Sequence, residues 1–545
     1  NLSMGGSPPN QTLIAAVARA ATAGVAIVVS AGNDGATSPQ QPDAFASGLR
    51  QAGNGNVIIA GSVDSSGVIS SFSNQAGSES AWFLSALGEK ICCVYENGQI
   101  KVTTDNTGQQ FVTVVSGTSY AAPQISGALT LLRQYFPNLT AAQAVDLLLK
   151  TATDAGATGT DAVYGRGILN IGAAFAPQGA TALAGNGTAL VPLSGVAVTT
   201  STAMGDASQT AMIQAVVLDS YQRAYRVNLG LSGAAANLPL TEVLAGPVSD
   251  LGGQTGNVAF GFSVARDRFG ALRLSPADAN AARVLAGRAI VRLARDSRLG
   301  FAMARGAESL VAELDARSRP SFLTMQDPAS QFGFARDSLS ATAFRHDMAG
   351  WGLTAALESG RVRPDPSERW KPGLRSRLAG ERYSRLALSL DHRFGPLTPH
   401  AAASWLFEDR TVLGARFASA LGVKGARSLF LDAGSGVELG RNWRVDGLWR
   451  QGWTRLASGG TVAANSAFTS NGWEVSVTRR GLIQSGDSLS FGLSQPLRVA
   501  SGGIGFDLPS AYDYQTRTAT YDVTRLSLTP MGREIDRELA WQGQL

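Results

Sequence analysis

One eight-residue stretch, residues 116–123 (SGTSYAAP), constrains the fold more than any other part of the chain. A β-like run at 111–115 precedes it, and an apolar run with helical spacing at 125–132 follows it. The pattern therefore predicts a strand that turns sharply into a helix, with Ser119 near the helix start. The N–H groups at such a helix start favour negative charge nearby, which suits a nucleophile. The alternative is an ordinary serine N-cap on a core helix.

Two upstream stretches add to this signal. Residues 25–35 (VAIVVSAGNDG) read as a buried strand followed by an Asn-Asp-Gly turn, and residues 1–6 (NLSMGG) read as a Gly-ending segment. Together with residues 116–123, and in this order, they resemble the motifs of subtilisin-like serine proteases (subtilases). The resemblance extends over about a third of the chain, roughly residues 1–175.

The resemblance implies a role for each motif. Ser119 would be the nucleophile, and its own backbone N–H would face the developing oxyanion. Asn33 would supply the side-chain amide donor of the oxyanion hole; the alternative for Asn33 is a simple turn residue. The resemblance also implies a substrate-binding set that pairs with an extended peptide: Ser3, Met4, Gly5, Ala31 and Gly32.

The three motifs do not include the histidine that acts as general base in a subtilase or the aspartate that orients it. A subtilase triad runs Asp, His, Ser in chain order, yet the histidines of this chain are His346, His392 and His400, all far downstream of Ser119. We expect the sequence to be an internal fragment whose Asp and His lie before Asn1. The alternatives are a degenerate, non-catalytic relative and the recruitment of a downstream histidine, which would break the family's order.

Residues 1–177 alternate between helical and strand patterns. Amphipathic or apolar runs predict helices at 10–24, 119–135 and 140–152, and β-branched runs predict buried strands at 25–29 and 57–63. Alternating strands and helices predict an α/β domain with a doubly wound parallel sheet. We assign residues 1–177 to the C-terminal half of a subtilisin-like peptidase domain.

Residues 178–225 are rich in Ala, Gly, Ser and Thr and predict a linker. The segment 212–228 overlaps the end of this linker, and its pattern fits either a short helix or the first strand of the domain that follows. In residues 226–545 the apolar residues recur with a period of two. Leu386, Leu388 and Leu390, for example, alternate with Ala387, Ser389 and Asp391. These segments predict amphipathic antiparallel strands of about ten residues.

Two architectures fit residues 226–545. One is an outer-membrane β-barrel, for which Trp405, Trp443, Trp453 and Trp473 suit an interfacial girdle. The other is a soluble β-rich domain with a tryptophan-containing core. A subtilase followed by a linker and a Gly-rich β domain resembles a bacterial autotransporter, so we expect a multidomain protein that ends in an incomplete, barrel-like all-β domain.

Composition narrows the remaining possibilities. The net charge is +5, and the arginines of the second part are spread singly, which argues against a nucleic-acid partner. Cys92 and Cys93 are adjacent, so we expect buried or reduced thiols and not a bridge between them. No Cys/His metal spacing and no apolar run long enough for a membrane-spanning helix occurs. We expect no cofactor; calcium enters only through the family resemblance.

The sequence thus predicts a serine endopeptidase that hydrolyses protein or peptide substrates through an acyl-enzyme. We expect an autotransporter-like anchor, contact with outer-membrane lipid, and a location at the bacterial outer membrane, on the cell surface or outside the cell. Two alternatives stay open, a non-catalytic surface protein and a protease with a soluble β-rich accessory domain.

Overall fold

The computed structural model describes all residues except 36–39, 186–195, 210–212, 233–247, 266–283, 316–321, 323–324, 326, 364–379, 441, 483, 485 and 544–545. Parts of the predicted linker and of the predicted β domain therefore lie outside the described residues. The chain divides into two compact units. The first unit holds residues 1–184, 217–225 and 512–518, and the second holds residues 185–216, 226–511 and 519–545.

The elements follow the chain in this order. The helices are α1 (Gln11–Thr22), α2 (Ala44–Ala52), α3 (Thr118–Tyr135), α4 (Ala141–Lys150), α5 (Ile171–Phe175) and α6 (Ala307–Asp315). The first strands are β1 (Ile27–Ser30), β2 (Val57–Val63), β3 (Phe83–Leu87), β4 (Ile91–Cys92), β5 (Tyr95–Glu96), β6 (Gln99–Ile100), β7 (Val102–Thr104), β8 (Gln110–Val112) and β9 (Val114–Val115).

The later strands are β10 (Ala182–Leu183), β11 (Val196–Thr199), β12 (Ile213–Leu218), β13 (Ala224–Ser232), β14 (Val248–Thr255), β15 (Val258–Ala265), β16 (Val284–Arg292), β17 (Ser297–Met303), β18 (Arg336–Met348), β19 (Trp351–Val362), β20 (Arg382–His392), β21 (Leu397–Asp409), β22 (Thr411–Val412), β23 (Ala415–Phe417), β24 (Gly425–Leu439), β25 (Trp443–Leu456), β26 (Ala467–Arg480), β27 (Ser488–Asp513), β28 (Thr518–Ser527) and β29 (Asp536–Gln542). Short 3-10 turns occupy Gly77–Trp82, Thr202–Gln209, Pro328–Ser330 and Ser419–Leu421.

The first unit is built on a parallel sheet in the order β1-β2-β3. Successive side chains of a strand point to opposite faces, and the two faces of this sheet are covered by different helices. Val29 and Ile59 join one core cluster with residues of α1 and α2, whereas Val28 and Ile58 join another with residues of α3 and α4. The layered α/β arrangement agrees with the prediction from the alternating helix and strand patterns.

Two local expectations in the first unit differ from the structure. The run at 111–115 forms the short, exposed strands β8 and β9, which pair with β7 and β4 and lie outside the parallel sheet. Cys92 is exposed and Cys93 is half-buried, so neither is a buried core residue, and of the two expectations for these thiols the buried one was wrong.

The second unit contains one antiparallel sheet of fourteen strands. Strands β14 to β21 and β24 to β28 follow one another in the sheet, and β29 pairs with β27. Among the described residues nothing pairs β14 with the strands at the far end, so the sheet is not closed into a barrel. The predicted antiparallel β domain is present. The ambiguous segment at 212–228 holds strands β12 and β13 and no helix.

In this sheet the apolar face is exposed and the charged face is buried, which is the reverse of a sheet that packs on a hydrophobic core. Apolar side chains such as Leu388, Leu390 and Trp449 are exposed, while Arg385 and Arg450 on the opposite face are buried. Helix α6 covers part of the polar face, where Leu310 and Leu314 pack against small residues of the sheet. The alternation in the sequence predicts the strands but does not indicate which face is buried. No described helix is both long and apolar enough to cross a membrane.

Candidate active site

Ser119 lies in the first turn of α3, one residue after the helix begins at Thr118. The N-cap is Gly117, which has no side chain to cap the helix, so Ser119 is not the capping serine that the alternative interpretation required. The Ser119 side chain is half-buried, and neither its hydroxyl nor its N–H bonds to any described residue. A hydroxyl in this position can attack a carbonyl carbon, and the unused N–H beside it can donate to the oxyanion that results.

Asn33 lies beyond the end of β1, and Thr118 fixes its amide group. Its Oδ1 accepts from the Thr118 N–H and from the Thr118 hydroxyl, each at 2.9 Å. This pairing turns Asn33 Nδ2 away from Thr118, and Nδ2 donates to no described residue. Asn33 is exposed. The arrangement therefore presents a side-chain donor and the Ser119 N–H from two neighbouring segments.

Ser3 joins the N-terminal segment to this site. Leu2 pairs with the parallel sheet beside β1, because its N–H donates to Val28 O (2.7 Å) and its carbonyl accepts from Ser30 N–H (3.1 Å). The next residue, Ser3, donates from its hydroxyl to the carbonyl oxygen of Ser119 at 3.0 Å. The order of the motifs in the sequence gave no indication of this contact.

The other four predicted substrate-binding residues divide into two groups. Met4 and Gly5 are exposed beside Ser3, and the Met4 carbonyl accepts from the Ser30 hydroxyl at 2.9 Å. Ala31 and Gly32 are buried. The Ala31 N–H and carbonyl are bonded to Ala60 O and Asp43 N–H, so Ala31 has no backbone group left for a peptide. The structure therefore brings Ser3, Met4 and Gly5 to the surface at this site, and not Ala31.

Asp43 is a residue of this region that the sequence analysis missed. It caps α2 by accepting from Ala46 N–H (2.9 Å), and its other oxygen accepts from Gly6 N–H (2.8 Å). Burial raises the pKa of the Asp43 carboxyl above its ordinary value, although these two backbone N–H bonds oppose the shift. A side chain at Gly5 would collide with this carboxylate. An aspartate three residues before a helical N–H is a cap signal that could have identified it.

Position 32 requires a glycine for two reasons. Its φ is +106°, a conformation that other residues rarely adopt, and a Cβ there would collide with the Asn74 side-chain amide. Asn74 in turn accepts from Asp34 N–H at 2.9 Å and donates its own N–H to Gly32 O at 3.1 Å. This network holds the turn that carries Asn33.

The three histidines belong to the second unit and each has its own local environment. His346 Nδ1 lies 2.9 Å from the Ser297 hydroxyl, and His392 stacks on Phe394 with ring centres 4.0 Å apart. His400 lies on β21 opposite Gly434. The first unit contains no histidine. In the part of the chain that the structure describes, no three His, Cys, Asp or Glu residues gather as a metal site.

The comparisons with known proteins concern the first unit. Residues 1–167 match the sequence profile of the Subtilase family. Over 162 residues the chain is 36% identical to serotype-specific antigen 1 of Mannheimia haemolytica, a match that covers 29% of this chain and 16% of that protein. It is 32% identical to subtilisin DY of Bacillus licheniformis over 174 residues, which is 32% of this chain and 55% of that protein.

Among solved structures, the chain is similar to MycP1 from Mycobacterium smegmatis, with 29% sequence identity and a TM-score of 0.24. That match covers 30% of this chain and 45% of the other. By its sequence matches, the stretch at residues 1–167 is similar to subtilases, and the chain spans about half the length of the subtilisins that it matches.

Proposed function

We propose that the first unit is the nucleophile-bearing part of a subtilisin-like serine endopeptidase. The observation that carries the proposal is the joint placement of Ser119 and Asn33, with the Asn33 amide oriented by Thr118. The match of residues 1–167 to the Subtilase family supports the same reaction class.

In the proposed reaction the Ser119 hydroxyl attacks the carbonyl carbon of a peptide bond. The negative charge that develops on the carbonyl oxygen is stabilised by Asn33 Nδ2 and the Ser119 N–H. The hydroxyl proton passes to a base and then to the leaving amine, which yields an acyl-enzyme and one free peptide. Water then attacks the acyl carbon, transfers a proton to the same base and releases the second peptide with Ser119 restored.

We infer that the base is a histidine supplied by sequence outside residues 1–545, together with its aspartate. The Asp-His-Ser order of the family supports this inference, because every histidine of this chain follows Ser119. Residues 1–545 alone should then be nearly inactive. The domain assignment stays part of the proposal: a half peptidase domain at 1–177, a linker at 178–225 and a β domain at 226–545.

Casein cleavage by the complete gene product tests the reaction. Ser119→Ala should abolish cleavage, because no other hydroxyl occupies that position at the helix start. Ser126→Ala is the matched control, since Ser126 lies on the same helix and bonds only within it and to Asn1. Equal cleavage by the wild type and Ser119→Ala would refute the protease assignment and favour a non-catalytic surface protein.

We further propose that the second unit is an autotransporter-like anchor in the outer membrane. Its exposed apolar face and buried charged face match the two faces of outer-membrane strands, which in addition need every strand edge to be paired. The strand connections support this proposal. Those at 349–350, 393–396 and 440–442 lie at one end of the strands and have two to four residues. Those at 304–335, 363–381 and 457–466 lie at the other end and have 10 to 32; the connection 514–517, at that same end, is an exception with four. Short turns at one end and long connections at the other are typical of outer-membrane strands.

Refolding tests the anchor. The second unit should refold only in detergent or lipid, because its exposed leucine, phenylalanine and tryptophan side chains would otherwise face water. Refolding to a monodisperse state in plain buffer would instead support a soluble β-rich accessory domain. A location at the cell surface follows from the anchor and is a proposal as well; a secreted form would need the first unit to be released from it.

A further inference from the structure

An exposed arm, residues 91–115, lies immediately before the nucleophile-bearing helix. It consists of three small strand pairs: β4 with β9, β5 with β6, and β7 with β8. Each pair is a separate two-stranded sheet among the described residues, so the outer edges of its strands are open. A strand edge with unused N–H and carbonyl groups can accept a further extended strand.

The arm is tied to the segment that presents Ser119. At its base, the Lys90 N–H donates to the Ser116 hydroxyl at 3.0 Å, and the Gly117 N–H donates to the Gly88 carbonyl at 2.8 Å. Gly117 is the N-cap of α3, two residues before Ser119. The base of the arm is therefore fixed to the segment that leads into the candidate active site.

The surface of the arm is apolar although it is open to water. Six large apolar side chains along it are between 44% and 63% exposed: Tyr95, Ile100, Val102, Phe111, Val112 and Val114. Val102 and Val112 are directly opposite each other in β7 and β8, and Val114 begins β9 two residues after Val112. Contiguous apolar side chains on an exposed surface mark binding surfaces.

The charges on the arm indicate what it would bind. Glu96 and Lys101 pair with each other at 3.4 Å, so neither presents an isolated charge. The remaining charge of the arm, Asp105, lies in the turn between β7 and β8, where its carboxylate accepts from the N–H groups of Thr107 and Gln109. The three valines carry no charge or hydrogen-bonding group. The surface therefore complements an uncharged, extended polypeptide segment better than an acidic or basic one.

We propose that the arm is a substrate-binding surface that takes an extended apolar segment of an unfolded protein substrate and directs the adjoining peptide bond to Ser119. The proposal rests on the proposed protease function. It predicts that residues 91–115 give the protease a preference for protein over short peptides; these residues lie outside those that the family resemblance implies for substrate binding.

The test compares two substrates and two variants of the complete gene product. The triple variant Val102→Thr/Val112→Thr/Val114→Thr removes the apolar surface but keeps the side-chain shape and the strand propensity. The control is Val25→Thr, the same substitution at a valine that is 46% exposed and lies just before β1, at the end of the strand away from Asn33. The substrates are β-casein, an unfolded protein, and a short chromogenic peptide anilide.

We expect the triple variant to lower kcat/KM for β-casein by about fivefold or more, chiefly through KM, and to leave the anilide within about twofold of the wild type. Val25→Thr should leave both unchanged. Equal effects on the two substrates, or no effect on β-casein, would overturn the proposal. It would also be overturned if the triple variant converted a dimer into a monomer by sedimentation, because a second copy would then occupy the arm.

A binding measurement separates this proposal from the protease proposal. If the wild type cleaves neither substrate, the protease function fails, and labelled β-casein is titrated against the Ser119→Ala protein with and without the triple substitution. An affinity lower by about fivefold or more with the triple substitution supports the arm, and equal affinity overturns it.

Discussion

The hydroxyl of Ser3 donates to the carbonyl oxygen of Ser119 at 3.0 Å, where α3 cannot supply a donor of its own. In a regular helix that carbonyl would accept from the N–H of residue 123, four positions later. Residue 123 is a proline and has no N–H. Ser3 therefore fills a vacancy that Pro123 creates, and it ties the N-terminal segment to the residue that we propose as nucleophile.

This relationship predicts a coupling between Ser3 and Pro123. Ser3→Ala should cost about 0.5–1.5 kcal/mol in the free energy of unfolding of the first unit. In a Pro123→Ala background residue 123 regains its N–H, so the Ser3→Ala substitution should cost much less. A double-mutant cycle by chemical denaturation measures the difference. Additive effects of the two substitutions would show that the Ser3 hydroxyl has no such role.

Asn33 and Thr118 should affect the reaction to different degrees. Asn33→Ala should lower kcat of the complete gene product by about 10²–10³-fold with little change in KM, the range known for losing one oxyanion donor in a subtilisin. Thr118→Val should lower kcat by only about fivefold, because the Thr118 N–H still holds Asn33 Oδ1. Thr118→Ser, which keeps the hydroxyl, is the control. A larger loss in Thr118→Val than in Asn33→Ala would contradict this geometry.

Much of the first unit follows from local sequence patterns. The β-branched run at 57–63 forms β2 with the predicted bounds, because a strand buried on both faces needs an unbroken apolar run. The amide of Asn33 is different: its orientation depends on Thr118, 85 residues away, and local patterns carry no information about such a contact. The same limit explains why the link between Ser3 and Ser119 was missed, whereas the cap signal of Asp43 is local and was overlooked.

The second unit shows a different limit of what a sequence pattern can predict. Alternation of period two predicts that one face is apolar and one polar, and this much was correct. It does not indicate which face meets solvent, since both arrangements have the same period. The exposed leucines at 388 and 390 and the buried Arg450 required the three-dimensional arrangement of the sheet.

The pH dependence of stability should change when Asp43 is replaced. Burial raises the pKa of Asp43 in the folded chain, so the folded state holds the proton more tightly than the unfolded state. The favourable contribution is complete below the ordinary pKa of 3.8 and is lost as pH rises through the folded pKa. Asp43→Asn cannot titrate, so the stability of the wild type relative to this variant should fall over that window.

Denaturation midpoints of both proteins, measured from about pH 3 to about pH 7, check this expectation. The asparagine still caps α2 but cannot accept from Gly6 N–H with its NH₂ group, so a constant offset between the proteins is also expected. A difference between the two proteins that grows with pH in favour of the wild type would contradict the raised pKa.

Two buried arginines of the second unit should respond in opposite ways to the same substitution. Arg450 is fully buried and donates to both carboxylate oxygens of Asp432, at 2.6 and 2.8 Å. Arg385 is also buried, but it donates no hydrogen bond to a described residue and lies 3.8 Å from the nearest oxygen of Glu308. Arg450→Met should cost about 3–5 kcal/mol because it leaves Asp432 uncompensated, whereas Arg385→Met should be neutral or stabilising.

Tryptophan fluorescence during urea unfolding of the detergent-solubilised chain follows this comparison, because eight of the nine tryptophans come after residue 350. Equal destabilisation by the two substitutions would mean that the ion pair with Asp432 does not contribute as its geometry indicates.

Covalent labelling of the complete gene product with a fluorophosphonate probe tests the central claim most directly. Such probes phosphonylate, with loss of fluoride, only a serine that a neighbouring base activates and whose oxyanion site is intact. We predict that mass spectrometry finds a single labelled serine, Ser119, and that labelling disappears in Ser119→Ala and persists in Ser126→Ala. The absence of label on Ser119, or label on a different serine, would contradict the assignment of Ser119 as the nucleophile.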